Sequence, residues 1–245
     1  MNPDVGWRLP DSPLRASALT SKLIGLAVVV ALAGAARAAL VLGDGYPLKA
    51  AVLFAAIMGL SIGFLRQHHP FARFGAANQI TLVRALLVAV VAGFIGVQPL
   101  PRFALVAVSA AGAATVLDGL DGWVARQTRM ASAFGARFDM EIDALLILAL
   151  SVLAWRDGKA GSWVIASGLL RYLFVAAGAL APWLGGTLPS SRRRQTICVV
   201  QIAALTIVML PAIQPPASTL LAAIALAALA GSFLVDIVWL WRNAA

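Results

Sequence analysis

The chain has 245 residues, 61% of them hydrophobic and 12% charged, with a formal charge of +9 and a mean hydropathy of +0.90. Soluble domains carry about 25% charged residues, so this composition excludes an ordinary soluble domain and describes an integral membrane protein. The basic excess fits arginines in loops that face anionic headgroups. A nucleic-acid partner is excluded, because no basic face is interleaved with aromatic residues.

A membrane-spanning helix needs about 20 mostly apolar residues. Residues 1–21, with Trp7, Leu9, Leu14 and Leu19 among polar residues and with Pro10 and Pro13 as breakers, are expected to lie along the inner interface. Eight apolar segments follow, at 22–42, 47–65, 79–97, 103–125, 135–155, 162–182, 196–213 and 217–240. The first is too long for the 7–15-residue core of a signal peptide and is read as a retained helix. Short punctuated joints such as "GDGYP", "QPLPR", "WRDGKAGS" and "PAIQPPA" separate the segments. The fold class expected is therefore all-α: one polytopic membrane helical bundle of about eight transmembrane helices. The only cysteine, Cys198, lies in an apolar run. That excludes an intramolecular disulfide and a thiolate metal site and leaves a small core residue.

Orientation follows from the positive charges. With the N-terminus in the cytoplasm, Arg8, Arg15, Lys22, Arg66, Arg73, Arg84, Arg126, Arg129, Arg137, Arg192, Arg193, Arg194 and Arg242 fall at the inner side, against Arg37, Lys49, Arg102, Arg156 and Lys159 outside. Both termini are then cytoplasmic. Trp155, Trp163, Trp239 and Trp241 fall at the interfaces, as anchors do.

Residues 118–143, "DGLDGWVARQTRMASAFGARFDMEID", hold five of the ten acidic residues and land at the cytoplasmic face. Asp118 and Asp121 are three apart and Asp139 and Asp143 four apart, so each pair shares one helix face. A short turn between the two helices makes them antiparallel neighbours, and the four aspartates converge. Carboxylates gathered in apolar surroundings require a counter-charge. Of the arginines in the stretch, Arg126 is the one placed to supply part of it. Divalent cations supply the rest: an all-oxygen donor set suits Mg²⁺, Mn²⁺ or Ca²⁺ and not zinc. Two such ions about 4 Å apart are a recurring device of phosphoryl transfer. Gly122, Ala125 and Gly135 let a ligand approach the backbone, and Arg126 is placed to meet a phosphate. Glu141 lies off the Asp139/Asp143 face and is read as an ordinary surface residue.

Written as spacing, the stretch is D-x2-D-G-x2-A-R-x8-G-x3-D-x3-D, filled by Asp118, Asp121, Gly122, Ala125, Arg126, Gly135, Asp139 and Asp143. It resembles the signature of the CDP-alcohol phosphatidyltransferase family. "NQITLVR", from Asn78 to Arg84, is similar to the segment that opens the first core helix of many bacterial members. The resemblance implies a six-helix catalytic core at 79–240, with 22–65 as two accessory transmembrane helices. It implies that Asp118, Asp121 and Asp139 bind two divalent cations, Mg²⁺ or Mn²⁺, with Asp143 assisting, and that Asp143 is the general base. Gly122, Ala125, Arg126, Gly135 and Thr81 would hold the cytidine diphosphate. The partners implied are a CDP-diacylglycerol-type lipid and an acceptor alcohol at a bacterial-type inner membrane; a homodimer stays open.

Other residues have two readings each. His68 and His69 sit in a basic loop and face headgroups or are inert. Arg171 and Asp236 lie within apolar segments and are expected to pair with one another. In "SSRRRQT", Arg192, Arg193 and Arg194 either mark the inner side or, with Ser190 and Ser191, bind an acceptor. Arginine suits phosphate oxygens, which favours a phosphorylated polyol such as glycerol 3-phosphate or inositol phosphate. The alternative function is a cation- or proton-coupled transporter with the aspartates as its ion site. It would place a carboxylate near the midplane and show an inverted repeat, and neither is visible.

Overall fold

The computed structural model describes residues 12–68, 70–71 and 73–244, with side chains for all of these except 12, 60 and 62–68. Trp7 and Leu9 of the expected interfacial segment lie outside the described residues, as do the side chains of His68 and His69. The described residues form eight α-helices and no strand: α1 (Ser12–Leu40), α2 (Gly45–His68), α3 (Ala76–Gly93), α4 (Pro101–Gln127), α5 (Ala133–Arg156), α6 (Ala166–Leu180), α7 (Arg192–Val208) and α8 (Ala217–Arg242). Single 3₁₀ turns, Ser162–Ile165 and Pro182–Gly185, flank α6.

Helix α1 begins ten residues before the first expected span. Pro13 falls in its first turn, where proline fits a helix, and no breaker follows, so residues 12–21 run on into the span. Among the described residues five stretches are long and apolar enough to cross a membrane: Pro13–Leu40, Ala76–Gly93, Pro101–Gln127, Ser162–Leu180 and Ala217–Arg242; Gly45–Gly59 within α2 is a shorter apolar stretch. The expected count of eight is thus met in helices but not in long apolar spans. Helix α5 carries Arg137, Asp139, Glu141 and Asp143 in its first half, and α7 opens on three arginines. The chain is a multi-pass membrane protein.

The chain divides into two compact units, one taking the residues up to Val97 with Ala110–Ile142, the other Gln98–Ser109 with the residues from Asp143 onward. In the first, α1, α2 and α3 pack on one another, and small residues set how closely. A Cβ on Gly25 would come within 2.8 Å of both Leu82 and Phe54, and one on Gly93 within 2.9 Å of Tyr46. Two polar groups buried here find the partners that burial away from water demands. Tyr46 donates to the Val90 carbonyl at 3.0 Å, and the buried Lys22 ammonium donates to the Met58 carbonyl at 3.0 Å and to Ser61 Oγ at 2.7 Å.

In the second unit α8 packs on α6 and α7. Helices α5 and α6 approach so closely at Gly168 that a Cβ there would lie 2.4 Å from Leu148 Cα. Lys159, buried in the turn after α5, clasps the turn between α7 and α8. Its Nζ donates to the Leu210 and Ile213 carbonyls at 3.1 and 2.7 Å. Its own carbonyl accepts from Ser218 Oγ at 2.7 Å and Thr219 Oγ1 at 3.1 Å.

Candidate metal centre

Helix α3 starts at a sharp bend. Gly75, its N-cap, has φ of 83°, a backbone that glycine adopts without strain, and a Cβ there would meet Met130 Cε at 3.1 Å. Beyond this bend Asn78, Thr81 and Arg84 follow at three-residue spacing along one face of α3, and all three are buried. A second local device starts α5. Ser132 Oγ accepts from the Gly135 N–H at 3.0 Å, which satisfies one of the unpaired donors at a helix N-terminus. Below the bend, the buried rings of Phe74 and Phe134 lie 6.2 Å apart and those of Phe134 and Phe138 5.6 Å apart. That packing ties the start of α3 to the first turns of α5.

These elements bring Asp118 and Asp121 of α4 to Asp139 of α5, with one carboxylate oxygen from each within 4.8 Å of the others. The counter-charge comes from α3 and not from Arg126. Arg84 Nη2 lies 2.8 Å from Asp118 Oδ1, and Nη1 lies 2.7 Å from Asp121 Oδ2 and also bonds Asp139 Oδ1. Thr81, expected at the nucleotide, has its Oγ1 3.0 Å from Asp121 Oδ2. The Ala77 carbonyl lies 3.2 Å away and competes for the same proton, but a hydrogen bond to a carboxylate is the stronger of the two.

Arg126 is exposed and lies back over Gly122, with Nη1 3.3 Å from where a Cβ on that glycine would stand. Ala125 is half-buried beside it. Gly135 faces Asn78: a Cβ there would come within 2.9 Å of Asn78 Oδ1, while Asn78 Nδ2 donates to the Phe74 carbonyl at 2.5 Å.

In the second unit Asp143, one turn beyond Asp139 along α5, is half-buried, and the Cys198 thiol donates to its Oδ2 at 3.5 Å. Asp236 is buried and pairs with Arg193 and Arg194, not with Arg171: Arg193 Nη2 lies 2.5 Å and Arg194 Nη1 3.1 Å from its Oδ1. Arg193 also donates to the Ser232 carbonyl at 2.7 Å and to Ser232 Oγ. Arg192 is exposed.

The residue to which sequence reasoning gave no role at the site is Arg84, which entered only as a mark of orientation and as the last residue of the NQITLVR segment. The signal was present: an arginine three residues past Thr81, inside an otherwise apolar run. A charge placed there has to find partners within the protein.

The donor set fits a hard divalent cation, being all oxygen, and three carboxylates meet the one guanidinium of Arg84. The sequence model of the CDP-alcohol phosphatidyltransferase family matches residues 74–234, from just before α3 to within α8. The chain belongs to that family and is a membrane-embedded transferase of phospholipid biosynthesis, which decides against the transporter. No curated protein and no solved structure matches the chain.

The contact between Gly135 and Asn78 can be tested by a double-mutant cycle. Gly135→Ala should lower thermal stability by about 1–3 kcal/mol, the usual cost of overpacking. In an Asn78→Ala background that extra cost should disappear. Equal costs in the two backgrounds would mean that Asn78 is not what limits position 135.

Proposed function

We propose that this chain transfers a phosphatidyl group from a CDP-linked lipid such as CDP-diacylglycerol to an acceptor alcohol, releasing CMP. The catalytic core is the six helices α3 to α8, with α1 and α2 as accessory spans. The observation that carries the reading is the convergence of Asp118, Asp121 and Asp139 within 4.8 Å in a chain of this family.

Asp118, Asp121 and Asp139 would hold the divalent cations, with Asp143 assisting. Bound there, Mg²⁺ or Mn²⁺ supplies neutralising charge for the pyrophosphate and the departing CMP. Thr81 and Arg84 hold Asp121 in place for that task. Gly122, Ala125 and Gly135 leave room for the cytidine diphosphate beside the backbone. Arg126 offers its fork to a phosphate, and Thr81 is the further candidate for a nucleotide contact. Asp143 takes the proton of the acceptor hydroxyl as its oxygen attacks the lipid-side phosphorus. The new P–O bond replaces the one to CMP, and the proton stays on the Asp143 carboxylate. The Cys198 thiol, donating to Oδ2, limits how that carboxylate turns. Proximity and charge neutralisation contribute most of the acceleration.

CMP release from purified protein tests this directly. Asp118→Ala, Asp121→Ala and Asp139→Ala should each abolish it, and activity lost to chelator should return with Mg²⁺ or Mn²⁺. Asp143→Asn should keep CDP-lipid binding while turnover falls by about 10²–10⁴, the usual effect of losing a general base. Turnover within tenfold of wild type would move the base elsewhere.

The acceptor in this reading is a phosphorylated polyol such as glycerol 3-phosphate or inositol phosphate. Two guanidinium groups share the single Asp236 carboxylate, so the pair keeps a net positive charge, and Arg192 adds to it. Arg194→Gln should raise the KM for the phosphorylated alcohol and leave that for the CDP-lipid nearly unchanged. Arg193→Gln should do the same and also lower thermal stability, because Arg193 ties α7 to Ser232 on α8. Equal use of an uncharged alcohol would leave these arginines as marks of orientation only.

The site faces the cytoplasm in this reading, as the distribution of arginines supports. Both positions chosen for labelling are exposed. A cysteine at Thr128→Cys should react only with reagent on the cytoplasmic side, and one at Arg156→Cys only with reagent outside. The reverse pattern would invert the topology and the route of substrate entry.

A further inference from the structure

Arg84 stands among the carboxylates that a cation would need. Its guanidinium spans both site helices, Nη2 meeting Asp118 and Nη1 meeting Asp121 on α4 and Asp139 on α5. At 1% exposure it has little help from water, so the carboxylates it meets carry much of the balancing of its charge. The three carboxylates it meets differ in exposure. The Asp121 side chain is 7% exposed and is also approached by Thr81, whereas Asp139 is 33% exposed. A divalent cation drawn to these oxygens approaches a fixed positive charge within a few ångströms, where repulsion is strong away from bulk water.

We propose that Arg84 is the resident counter-ion of the metal centre, holding Asp118, Asp121 and Asp139 together in the metal-free protein and opposing divalent cations when they bind. Arg84 is then a positioning residue that sets metal affinity. This rests on the metal reading of the same site. It goes further in making the affinity for the ion depend on a side chain that does not ligate it.

The experiment is a Mn²⁺ titration of the full chain, stripped with chelator, following free Mn²⁺ by electron paramagnetic resonance and thermal unfolding in parallel. Arg84→Gln, which keeps hydrogen-bond donors but loses the charge, should bind Mn²⁺ at least about tenfold more tightly than wild type. It should also unfold at lower temperature in chelator and gain more stability from Mn²⁺. Arg84→Lys, with the charge but without the planar fork, should bind Mn²⁺ with nearly wild-type affinity and still lose metal-free stability. Unchanged or weaker Mn²⁺ binding by Arg84→Gln would overturn the proposal while leaving the metal reading intact. Absence of Mn²⁺ binding by the wild type would overturn both. Should Arg84→Gln fold only when prepared in Mn²⁺, that rescue supports the role; failure to fold even in Mn²⁺ overturns it.

Discussion

Three aspartates have to be kept within 4.8 Å of one another inside an apolar helical protein, and like charges so placed repel. The guanidinium of Arg84 makes the arrangement tolerable, and the local structure of the first unit follows from that requirement. Helix α3 has to present Arg84 from a fixed position, which the bend at Gly75 and the aromatic packing of Phe74, Phe134 and Phe138 secure. Thr81 gives Asp121 a second partner. Ser132 sets where α5 starts, and thereby the height at which Asp139 emerges. Gly135 leaves Asn78 the space it needs one turn before Thr81.

The second unit answers a similar problem by similar means. Asp236 is buried and carries two arginines, while Asp143 is half-buried beside a thiol. One of these carboxylates is fully engaged in an ion-pair network. The other meets the Cys198 thiol at one of its oxygens. Family membership covers the helices from α3 into α8, so chemistry and acceptor recognition are both sought in these helices, while α1 and α2 pack on α3.

Much of this was legible in the residues themselves. The spacing of Asp118, Asp121, Asp139 and Asp143 predicted convergence of all four because helix periodicity and a short turn leave few other arrangements, and the structure gathers the first three within 4.8 Å. Composition gave the all-helical membrane class for an equally simple reason: apolar runs of this length have no place in water. What could not be read were contacts between elements distant in sequence. Arg84 lies 34 residues before Asp118 in the numbering, and nothing in its own helix says which carboxylates it will meet. Arg126, inside the motif, looked the better partner and lies over Gly122 instead. The pairing of Asp236 escaped prediction in the same way, since Arg171 and Arg193 are both arginines near apolar runs and only packing chooses between them. The eight expected segments appear as eight helices, of which five are long and apolar enough by composition to span; those that carry charged site residues, such as α5, fall below that measure.

The clasp at Lys159 also bears on how the chain can be altered. Its ammonium and its carbonyl are engaged on the two flanks of one turn, Leu210 and Ile213 before it and Ser218 and Thr219 after it. Connections between helices ordinarily absorb insertions well because their ends are free to spread. Here both ends are held to one residue, so an epitope or reporter spliced between Ile213 and Ser218 would have to bulge outward from a fixed base or break the clasp. The joint between α4 and α5 has no slack either, since Ser132 caps the helix that follows it. Residues 41–44 between α1 and α2 stand apart from both, so sequence added there would disturb neither this clasp nor that cap.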